Sequence, residues 1–145
     1  MKIQVEAARE ADQELVDALG RLLPQLSRSA RPLDAQALAR VLASDTNTVL
    51  VARAGHGIVG TLTLTTVPLP SGLRARVEDV IVDEAARGHG IAGLLMERAL
   101  QLAREAGART VDLTSRPDRE AANRLYERLG FQRRGSTVYR YPIEG

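Results

Sequence analysis

Apolar and polar residues alternate at the start of the chain and then change to a helical spacing. In "KIQVEAA" the alternating Ile3 and Val5 predict a first strand. From residue 10 onward the apolar positions recur at helical intervals, at Leu15, Leu19, Leu22 and Leu26. We expect this helix to be kinked or to end near Pro24, because proline has no N–H to continue the helical hydrogen bonds.

The middle of the chain predicts a second helix followed by three strands. Asp34 is a candidate N-cap for a helix whose apolar positions include Leu38 and Leu42. "TVLVAR" and "IVGTLTLTTV" predict two strands joined by a hairpin at "AGHG", which contains His56. We expect "PLPSG" to be a loop and "RARVEDVIV" to be the next strand.

The remainder predicts a long helix, a short strand, a second helix and one or two final strands. The long helix is expected from about Gly90 to Ala106, with Gly107 as its C-cap residue. "RTVDLTS" predicts the short strand, and an amphipathic helix is expected from Asp118 to Leu129. "FQRRGSTVYRYPI" holds the final strands. This order predicts one α/β domain over residues 1–145 with antiparallel strands at its centre.

The composition excludes several kinds of chemistry. There is no cysteine among the 145 residues, which excludes disulfides, thiolate metal ligands and a cysteine nucleophile. His56 and His89 lie on different segments, so we expect no metal site. The net charge is +2 and the pI about 9.5, but the arginines are scattered instead of forming a block. We therefore expect no nucleic-acid partner.

The hydropathy pattern predicts a cytoplasmic protein without membrane contacts. No run approaches the roughly 18 apolar residues that suggest a membrane span, and "MKIQVEAARE" has no apolar signal-like core. The absence of cysteine agrees with a reducing compartment.

The stretch "ARGHGIAG" fits two nucleotide-binding signatures. Gly88, Gly90 and Gly93 match the dinucleotide fingerprint G-x-G-x-x-G, with Asp112 as the candidate ribose-binding acid. "DEAAR", however, separates the preceding strand from the first glycine, and Asp112 lies inside an alternating stretch. Too few residues follow for a doubly wound sheet. In the second signature, R-x-x-G-x-A, small residues let backbone N–H groups at a helix start face a pyrophosphate.

The surrounding residues decide between the two signatures. "VEDVIVDEAARGHGIAGLLMERAL" followed by "RPDREAANRLYERLGF" resembles the GNAT superfamily of acetyl-CoA-dependent N-acetyltransferases. The resemblance is close over residues 77–131. It implies a mixed, mostly antiparallel central sheet of six to seven strands flanked by about four helices. It also implies acetyl-CoA as co-substrate, with no metal.

The resemblance assigns acetyl-CoA binding to the end of the strand, the loop and the later helix. The pantetheine arm is expected along the strand end and beside Asn123, and the pyrophosphate on the loop. The implied cofactor-binding residues are Val80, Ile81, Val82, Arg87, Gly88, His89, Gly90, Ile91, Ala92, Gly93, Asn123 and Tyr126.

The implied reaction is direct transfer of the acetyl group to a neutral amine. Glu78 is the first candidate for the base that removes the amine proton, and Asp79 the second. Neighbours on a strand point to opposite faces, so both can face the site only if a bulge intervenes, as it often does in the family. Tyr126 is the candidate general acid; its alternative role is that of a packed helix aromatic. His89 is expected to face solvent.

The acceptor amine stays open. The family places it near the N-terminal helices, their connector "SRSARPL" and a final hairpin around residues 135–137. Amino acids, peptides, aminoglycosides and polyamines are all compatible, although no acidic pocket of the polyamine-binding type is evident. Homodimerisation through the C-terminal strands is a further expectation. The alternatives are a non-catalytic CoA-binding regulatory domain and an NAD-binding oxidoreductase.

Overall fold

The computed structural model describes residues 2–29, 31–55 and 57–144. Two predicted features fall partly outside them: the hairpin tip at His56 and the connector "SRSARPL", which contains Ala30. The chain forms two compact units, residues 1–114 and 115–145. The prediction of one domain over residues 1–145 stays a prediction.

Within the residues that the structure describes, the first unit contains one sheet and three α-helices. Its strands are β1 (Ile3–Ala7), β2 (Asn47–Ala54), β3 (Gly57–Leu69), β4 (Gly72–Val82) and β5 (Val111–Asp112). They lie side by side in chain order, antiparallel except for the parallel pair of β4 and β5. Its helices are α1 (Gln13–Leu26), α2 (Ala35–Ala43) and α3 (Ile91–Ala106), with a short 3-10 helix at Glu84–Ala86.

Helices cover both faces of this sheet. On one face, α1 and α2 form a buried cluster with strand residues, comprising Leu15, Ala18, Leu19, Leu22, Leu38, Val51, Ile58 and Ile81. On the other face, α3 packs closely on β3, where Ile91 and Leu95 lie against Gly60. Each fully buried aliphatic side chain contributes about 1.5–3 kcal/mol to this packing. The stripe of leucines predicted for α1 is confirmed as its core-facing side.

The helix ends follow the predicted capping chemistry. Asp34 accepts a hydrogen bond from the backbone N–H of Ala37 at 2.7 Å, which confirms it as the N-cap of α2. The first helix ends at Leu26, two residues beyond Pro24. Gly107 adopts φ 81° at the end of α3, as a C-cap glycine should.

The loop predicted at "PLPSG" is shorter than expected. β3 continues through Pro68 to Leu69, and β4 begins at Gly72. Proline is tolerated here because Thr66 N–H bonds to the carbonyl of Thr46, so the nitrogen of Pro68, two residues on, faces the same side. β2 begins at Asn47, which pairs with Thr65, so Pro68 lies beyond the stretch of β3 that pairs with β2. No ladder hydrogen bond is therefore lost.

The predicted number of strands is wrong. The sheet has five strands instead of six to seven, because the structure assigns no strand to residues 131–144. The alternation in "STVYRYPI" is typical of a strand, but a strand forms only where a neighbouring edge supplies hydrogen-bond partners. Val138, Tyr139, Tyr141 and Ile143 are exposed. The expected hairpin around residues 135–137 is likewise not formed.

The second unit contains α4 (Glu120–Leu129). The predicted start at Asp118 lies two residues too early, whereas the predicted end is confirmed: Gly130 has φ 104° and donates its N–H to the carbonyl of Glu127 at 3.1 Å. None of the helices in the described ranges is long and apolar enough to cross a membrane.

Candidate functional site

β4 has one edge that is paired throughout and one that is mostly open. On one side it pairs with β3 from Gly72 to Val82. On the other side β5 pairs only at Ala75 and Arg76, and beyond that point no strand of the described residues bonds to β4. The backbone N–H and C=O groups on the open edge of residues 77–82 can therefore bind an extended ligand, as a sheet edge binds a peptide.

A bulge interrupts β4 within this open stretch. Thr61 pairs with Ile81 and Thr63 with Glu78, so two residues of β4 lie opposite one residue of β3. Asp79 has φ 51° and is the one non-glycine residue with positive φ in the described ranges. Aspartate tolerates this left-handed conformation better than most residues. A bulge of the kind that the family often has on this strand is therefore present.

The two candidate bases lie at this bulge and are accessible. The Glu78 side chain is 48% exposed and its Oε1 lies 3.6 Å from Nη2 of Arg76. Asp79 is also exposed. The bulge removes the strict alternation between neighbours, so the carboxylates no longer have to point to opposite faces of the sheet.

The loop after β4 contains two glycines in the left-handed region. Gly88 has φ 88° and Gly90 has φ 72°. A Cβ at either position would meet nothing within 4 Å, so the space in front of this backbone is open. A ligand can therefore approach the loop backbone directly.

The N-terminus of α3 has no internal counter-charge. Gly90 occupies its N-cap position and offers no side-chain acceptor, and no acidic residue stands in its first turn. Asp12 and Asp34, in contrast, cap α1 and α2. The first N–H groups of α3 lack intrahelical partners, and together with the helix dipole they favour an anionic ligand.

Arg87 and His89 flank this helix start. Nε of Arg87 donates to the carbonyl of Val82 at 3.4 Å, which holds the side chain against the end of β4. Nδ1 of His89 lies 3.1 Å from the carbonyl oxygen of Ala86, and the residue is exposed, as expected. The guanidinium of Arg87 therefore adds positive charge between the strand end and the helix start.

Side chains from α1 hold the turn between β4 and the loop, a contribution that the sequence analysis missed. Asp83 accepts a hydrogen bond from the N–H of Ala85 at 3.3 Å and forms an ion pair with Arg21 at 3.4 Å. Gln25 Oε1 accepts the N–H of Glu84 at 3.1 Å. The signal available in the sequence is the acid of "DEAAR", a residue type typical of a helix N-cap.

Hydrogen bonds to its carboxylate lower the pKa of Asp83. The backbone hydrogen bond from Ala85 contributes most, and the side chains of Gln25 and Arg21 add to it, against an opposing desolvation. Arg21 also donates to the carbonyl of Ile58 at 2.8 Å. The turn that leads to Arg87 is thus fixed to both α1 and β3.

Asn123 and Tyr126 lie on α4, in the second unit. Nδ2 of Asn123 donates to the carbonyl of Arg116 at 3.0 Å, which stabilises the turn before the helix. The ring of Tyr126 meets that of Phe131 edge-on, with centroids 6.0 Å apart. Burial raises the pKa of the Tyr126 phenol, and the charge of Arg119 opposes this effect.

The first unit therefore brings most of the predicted site residues together on one continuous strand, loop and helix. Residues 78–82 occupy the end of β4, and residues 87–93 form the loop and the start of α3. Asp112, the ribose acid of the dinucleotide alternative, lies in β5 beside Arg76. No group of three or more potential metal ligands occurs in the described residues.

Comparison with known proteins gives a family match over most of the chain. Residues 13–131 match the model of the acetyltransferase (GNAT) family. The chain is 33% identical over 114 residues to the N-alpha-acetyltransferase RimI of Mycobacterium tuberculosis, covering 79% of this chain and 70% of that protein. It is 32% identical over 130 residues to an uncharacterised protein of Mycobacterium leprae, covering 90% of this chain but 35% of that longer protein.

Solved structures share the fold. A crystal structure of a transcriptional regulator from Bacillus halodurans C-125 is 31% identical, with a TM-score of 0.79 over 97% of this chain and 99% of that chain. An aminoglycoside acetyltransferase from an uncultured soil metagenomic sample gives a TM-score of 0.85 at 22% identity, over 99% of this chain and 97% of that one. The expected mixed, mostly antiparallel α/β fold is thus confirmed, apart from the number of strands.

Proposed function

Because the chain belongs to the GNAT acetyltransferase family, we propose that it moves an acetyl group from acetyl-CoA to a primary amine of a small molecule or peptide by direct transfer. Acetyl-CoA supplies the acetyl group as a thioester. The chain's own residues bind this co-substrate, orient the amine and move the proton that the amine must lose.

One observation carries the proposal: the open edge of β4 is followed, after the turn and loop of residues 83–90, by the uncapped start of α3. The backbone groups of Val80 to Val82 suit the amides of an extended pantetheine arm. The N–H groups of Ile91, Ala92 and Gly93 suit a pyrophosphate. The absence of a Cβ at Gly88 and Gly90 leaves room for the phosphates, and Arg87 and His89 form the rim.

Glu78 is proposed as the base and Asp79 as the alternative. An amine is largely protonated at neutral pH and must lose a proton before it attacks the thioester carbonyl. Both carboxylates are exposed beside the open edge of β4, and the bulge at Asp79 frees them from strict alternation. Glu78 either takes the proton itself or receives it through a water.

Tyr126 is proposed as the acid that protonates the departing CoA thiolate, and Asn123 as a contact of the pantetheine arm. These two roles rest on the resemblance of "RPDREAANRLYERLGF" to the family. At its ordinary pKa of 10.0 the Tyr126 phenol already carries its proton at neutral pH, and burial raises this pKa further, so the group is in the protonated form that an acid needs.

The nature of the acceptor follows from the relatives only in outline. The name of the Mycobacterium tuberculosis relative supports a peptide N-terminus, and small-molecule amines remain equally compatible. A cytoplasmic location, a homodimer and the absence of nucleic-acid and membrane partners stay predictions.

A non-catalytic CoA-binding regulatory domain is the second candidate function. It is favoured by one observation, the 31% identity to a structure described as a transcriptional regulator. The two candidates differ in the effect of Tyr126→Phe. Loss of thiol release with acetyl-CoA binding retained supports the enzyme, whereas a protein that binds acetyl-CoA and acetylates no amine supports the regulatory domain.

The proposal is tested by thermal unfolding with acetyl-CoA and, separately, with NAD. A ligand at 100 times its dissociation constant stabilises a protein by about 2.7 kcal/mol, which gives a measurable shift in a domain of this size. We expect acetyl-CoA alone to raise the midpoint and Gly90→Glu to abolish the rise. A shift with NAD and none with acetyl-CoA contradicts the proposal and favours the oxidoreductase alternative.

A further inference from the structure

We infer that the amine acceptor carries an anionic oxygen group, a carboxylate or a phosphate, bound by Arg74 and Arg76. This inference rests on the proposed function and adds to it the class of the acceptor. It begins from one row of partly to fully exposed side chains on β4.

Arg74, Arg76 and Glu78 occupy the same face of β4. Their partners on β3 are Val67, Thr65 and Thr63, so the three side chains alternate with the buried Ala75 and Val77. The bulge keeps Ile81 on this same face, where α1 covers it. The row therefore continues a helix-covered surface beyond the part that the helix covers. Its Glu78 end lies in the stretch of β4 whose edge is open.

The two guanidinium groups are held mainly by neutral hydroxyls. Arg74 donates to Thr110 Oγ1 at 3.3 Å and to Ser71 Oγ at 3.4 Å. Arg76 donates to Thr114 Oγ1 at 3.1 Å. A guanidinium has five N–H donors, so these contacts orient the side chains and leave donors over.

Carboxylates compensate this charge only in part. Glu78 pairs with Arg76 at 3.6 Å, and Asp112 is the register partner of Arg76 on β5. For Arg74, the contacts within the described residues are all to hydroxyl oxygens. A third arginine, Arg109, donates to the carbonyl of Ser71 at 2.6 Å, so positive charge accumulates at this end of the row.

The spacing of the row suits an acceptor with two functional groups. A strand rises about 3.3 Å per residue, so the Cα atoms of Arg76 and Arg74 lie roughly 7 and 13 Å from that of Glu78. An amine placed at Glu78 thus puts an oxyanion of the same molecule within reach of the arginine side chains. Guanidinium groups bind carboxylate and phosphate through paired N–H donors.

The same charges disfavour two of the acceptors that the sequence leaves open. Aminoglycosides and polyamines carry several ammonium groups. With one amine at Glu78, the others would lie near Arg76 and Arg74, and like charges at this range repel. The row therefore favours an amine that is itself an acid.

The test compares acceptors that differ only in the anionic group. One arm uses an amino acid and its carboxamide; the other uses an amino sugar phosphate and the free amino sugar, with spermidine and an aminoglycoside as polycations. Thiol release gives kcat/KM for the wild type, Arg74→Gln, Arg76→Gln and the control Arg104→Gln, an exposed arginine of α3. The arm with the larger preference identifies carboxylate or phosphate.

We expect the anionic member of a pair to be preferred at least about tenfold, because hydrogen bonds to charged groups are the stronger ones. Arg74→Gln and Arg76→Gln should lower kcat/KM for that member about 10- to 100-fold and change the uncharged member far less. Arg104→Gln should change neither. This selectivity distinguishes anion binding from an indirect effect of Arg76 on Glu78, which would lower both members equally.

A preference for the amide, the free sugar or a polycation overturns the inference, as does an equal loss for both members of a pair. Titration calorimetry of the same acceptors with the CoA-bound protein compares their affinities without turnover. Tighter binding of the uncharged member also overturns the inference. Failure of the proposed function shows itself separately, as the absence of a thermal shift with acetyl-CoA.

Discussion

Cγ2 of Ile91 lies 3.2 Å from the point at which a Cβ on Gly60 would stand. The carbonyl oxygen of Ile81 is equally close to that point, and Cδ1 of Leu95 lies 3.3 Å away. Gly60 pairs with Val82, the last residue of β4. The start of α3 is therefore held against the sheet beside the strand end that leads into the loop, and the missing side chain of Gly60 permits this approach.

Replacing Gly60 should lower stability and weaken acetyl-CoA binding. Gly60→Val forces at least two packed side chains to move, and overpacking of this kind costs about 1–3 kcal/mol. Urea unfolding measures the loss, and the thermal shift with acetyl-CoA reports the displaced loop. Gly20→Ala in α1 is the matched control: its Cβ meets nothing within 4 Å, and alanine favours a helix by about 0.5–1 kcal/mol over glycine. Equal stability of wild type and Gly60→Val contradicts the packing argument.

Conservative changes at the bulge separate the two candidate bases. Glu78→Gln should lower kcat by about 10²- to 10⁴-fold if this carboxylate takes the proton, whereas Asp79→Asn should have a smaller effect. Asparagine accepts the left-handed conformation of residue 79, so the bulge is kept. Both variants should retain the thermal shift with acetyl-CoA. A full kcat in Glu78→Gln combined with a large loss in Asp79→Asn reverses the assignment.

The acid that caps the 3-10 helix after β4 should affect both stability and co-substrate binding. Asp83→Ala removes the acceptor for the N–H of Ala85 and the partner of Arg21, and loss of a cap costs about 0.5–2 kcal/mol. Asp34→Ala removes the comparable cap of α2, away from the loop. We expect both variants to unfold at lower urea concentration, but only Asp83→Ala to show a smaller thermal shift with acetyl-CoA. An unchanged shift in Asp83→Ala shows that the turn does not position the loop.

The ion pairs of Arg53 should make stability depend on acid pH. Arg53 donates to Glu14 at 2.8 and 2.9 Å and to Glu6 at 2.5 Å, joining β2 to α1 and β1. The hydrogen bond from Arg53 lowers the pKa of Glu14 below its ordinary value of 4.5. A lowered folded-state pKa contributes stability above the unfolded value, and this contribution is lost as the pH falls through the folded value.

Urea midpoints measured between pH 7 and pH 3 check this expectation. Wild type should lose stability below about pH 4.5, and Glu14→Gln should lose less over the same interval because it has no proton to take up. Arg53→Gln keeps the Glu14 carboxylate but removes the hydrogen bond that lowers its pKa. Its loss of stability below pH 4.5 should therefore be reduced as in Glu14→Gln. Parallel curves for all three proteins contradict a role for this pair.

Much of the first unit could be predicted from local patterns. The stripe of Leu15, Leu19 and Leu22 identified the buried side of α1, and Asp34 was recognised as the N-cap of α2. The alternation of "RARVEDVIV" identified the strand β4. These features are determined within a few residues, by periodicity, capping and side-chain shape. The motif residues Arg87, Gly90 and Ala92 were recognised from local spacing as well, and their role in acetyl-CoA binding stays a prediction.

Other features depend on partners distant in the sequence. "STVYRYPI" alternates as well as any strand of the sheet, yet it forms none in the described residues, because alternation does not provide a neighbouring edge. Pro68 suggested a loop but lies in β3, because β2 pairs with β3 only as far as Thr65 and needs no N–H from residue 68. The contacts of Arg21 and Gln25 with the turn after β4 likewise join residues far apart in the chain.

By itself, the sequence determined the type of most elements and the family of the protein, since these depend on neighbouring residues. Only the tertiary structure decided that β5 leaves β4 after Arg76 and that the row from Arg74 to Glu78 stays uncovered. The physical reason is that an open strand edge and an exposed face are defined by what does not pack against them. That depends on the whole arrangement of strands and helices and not on any one segment.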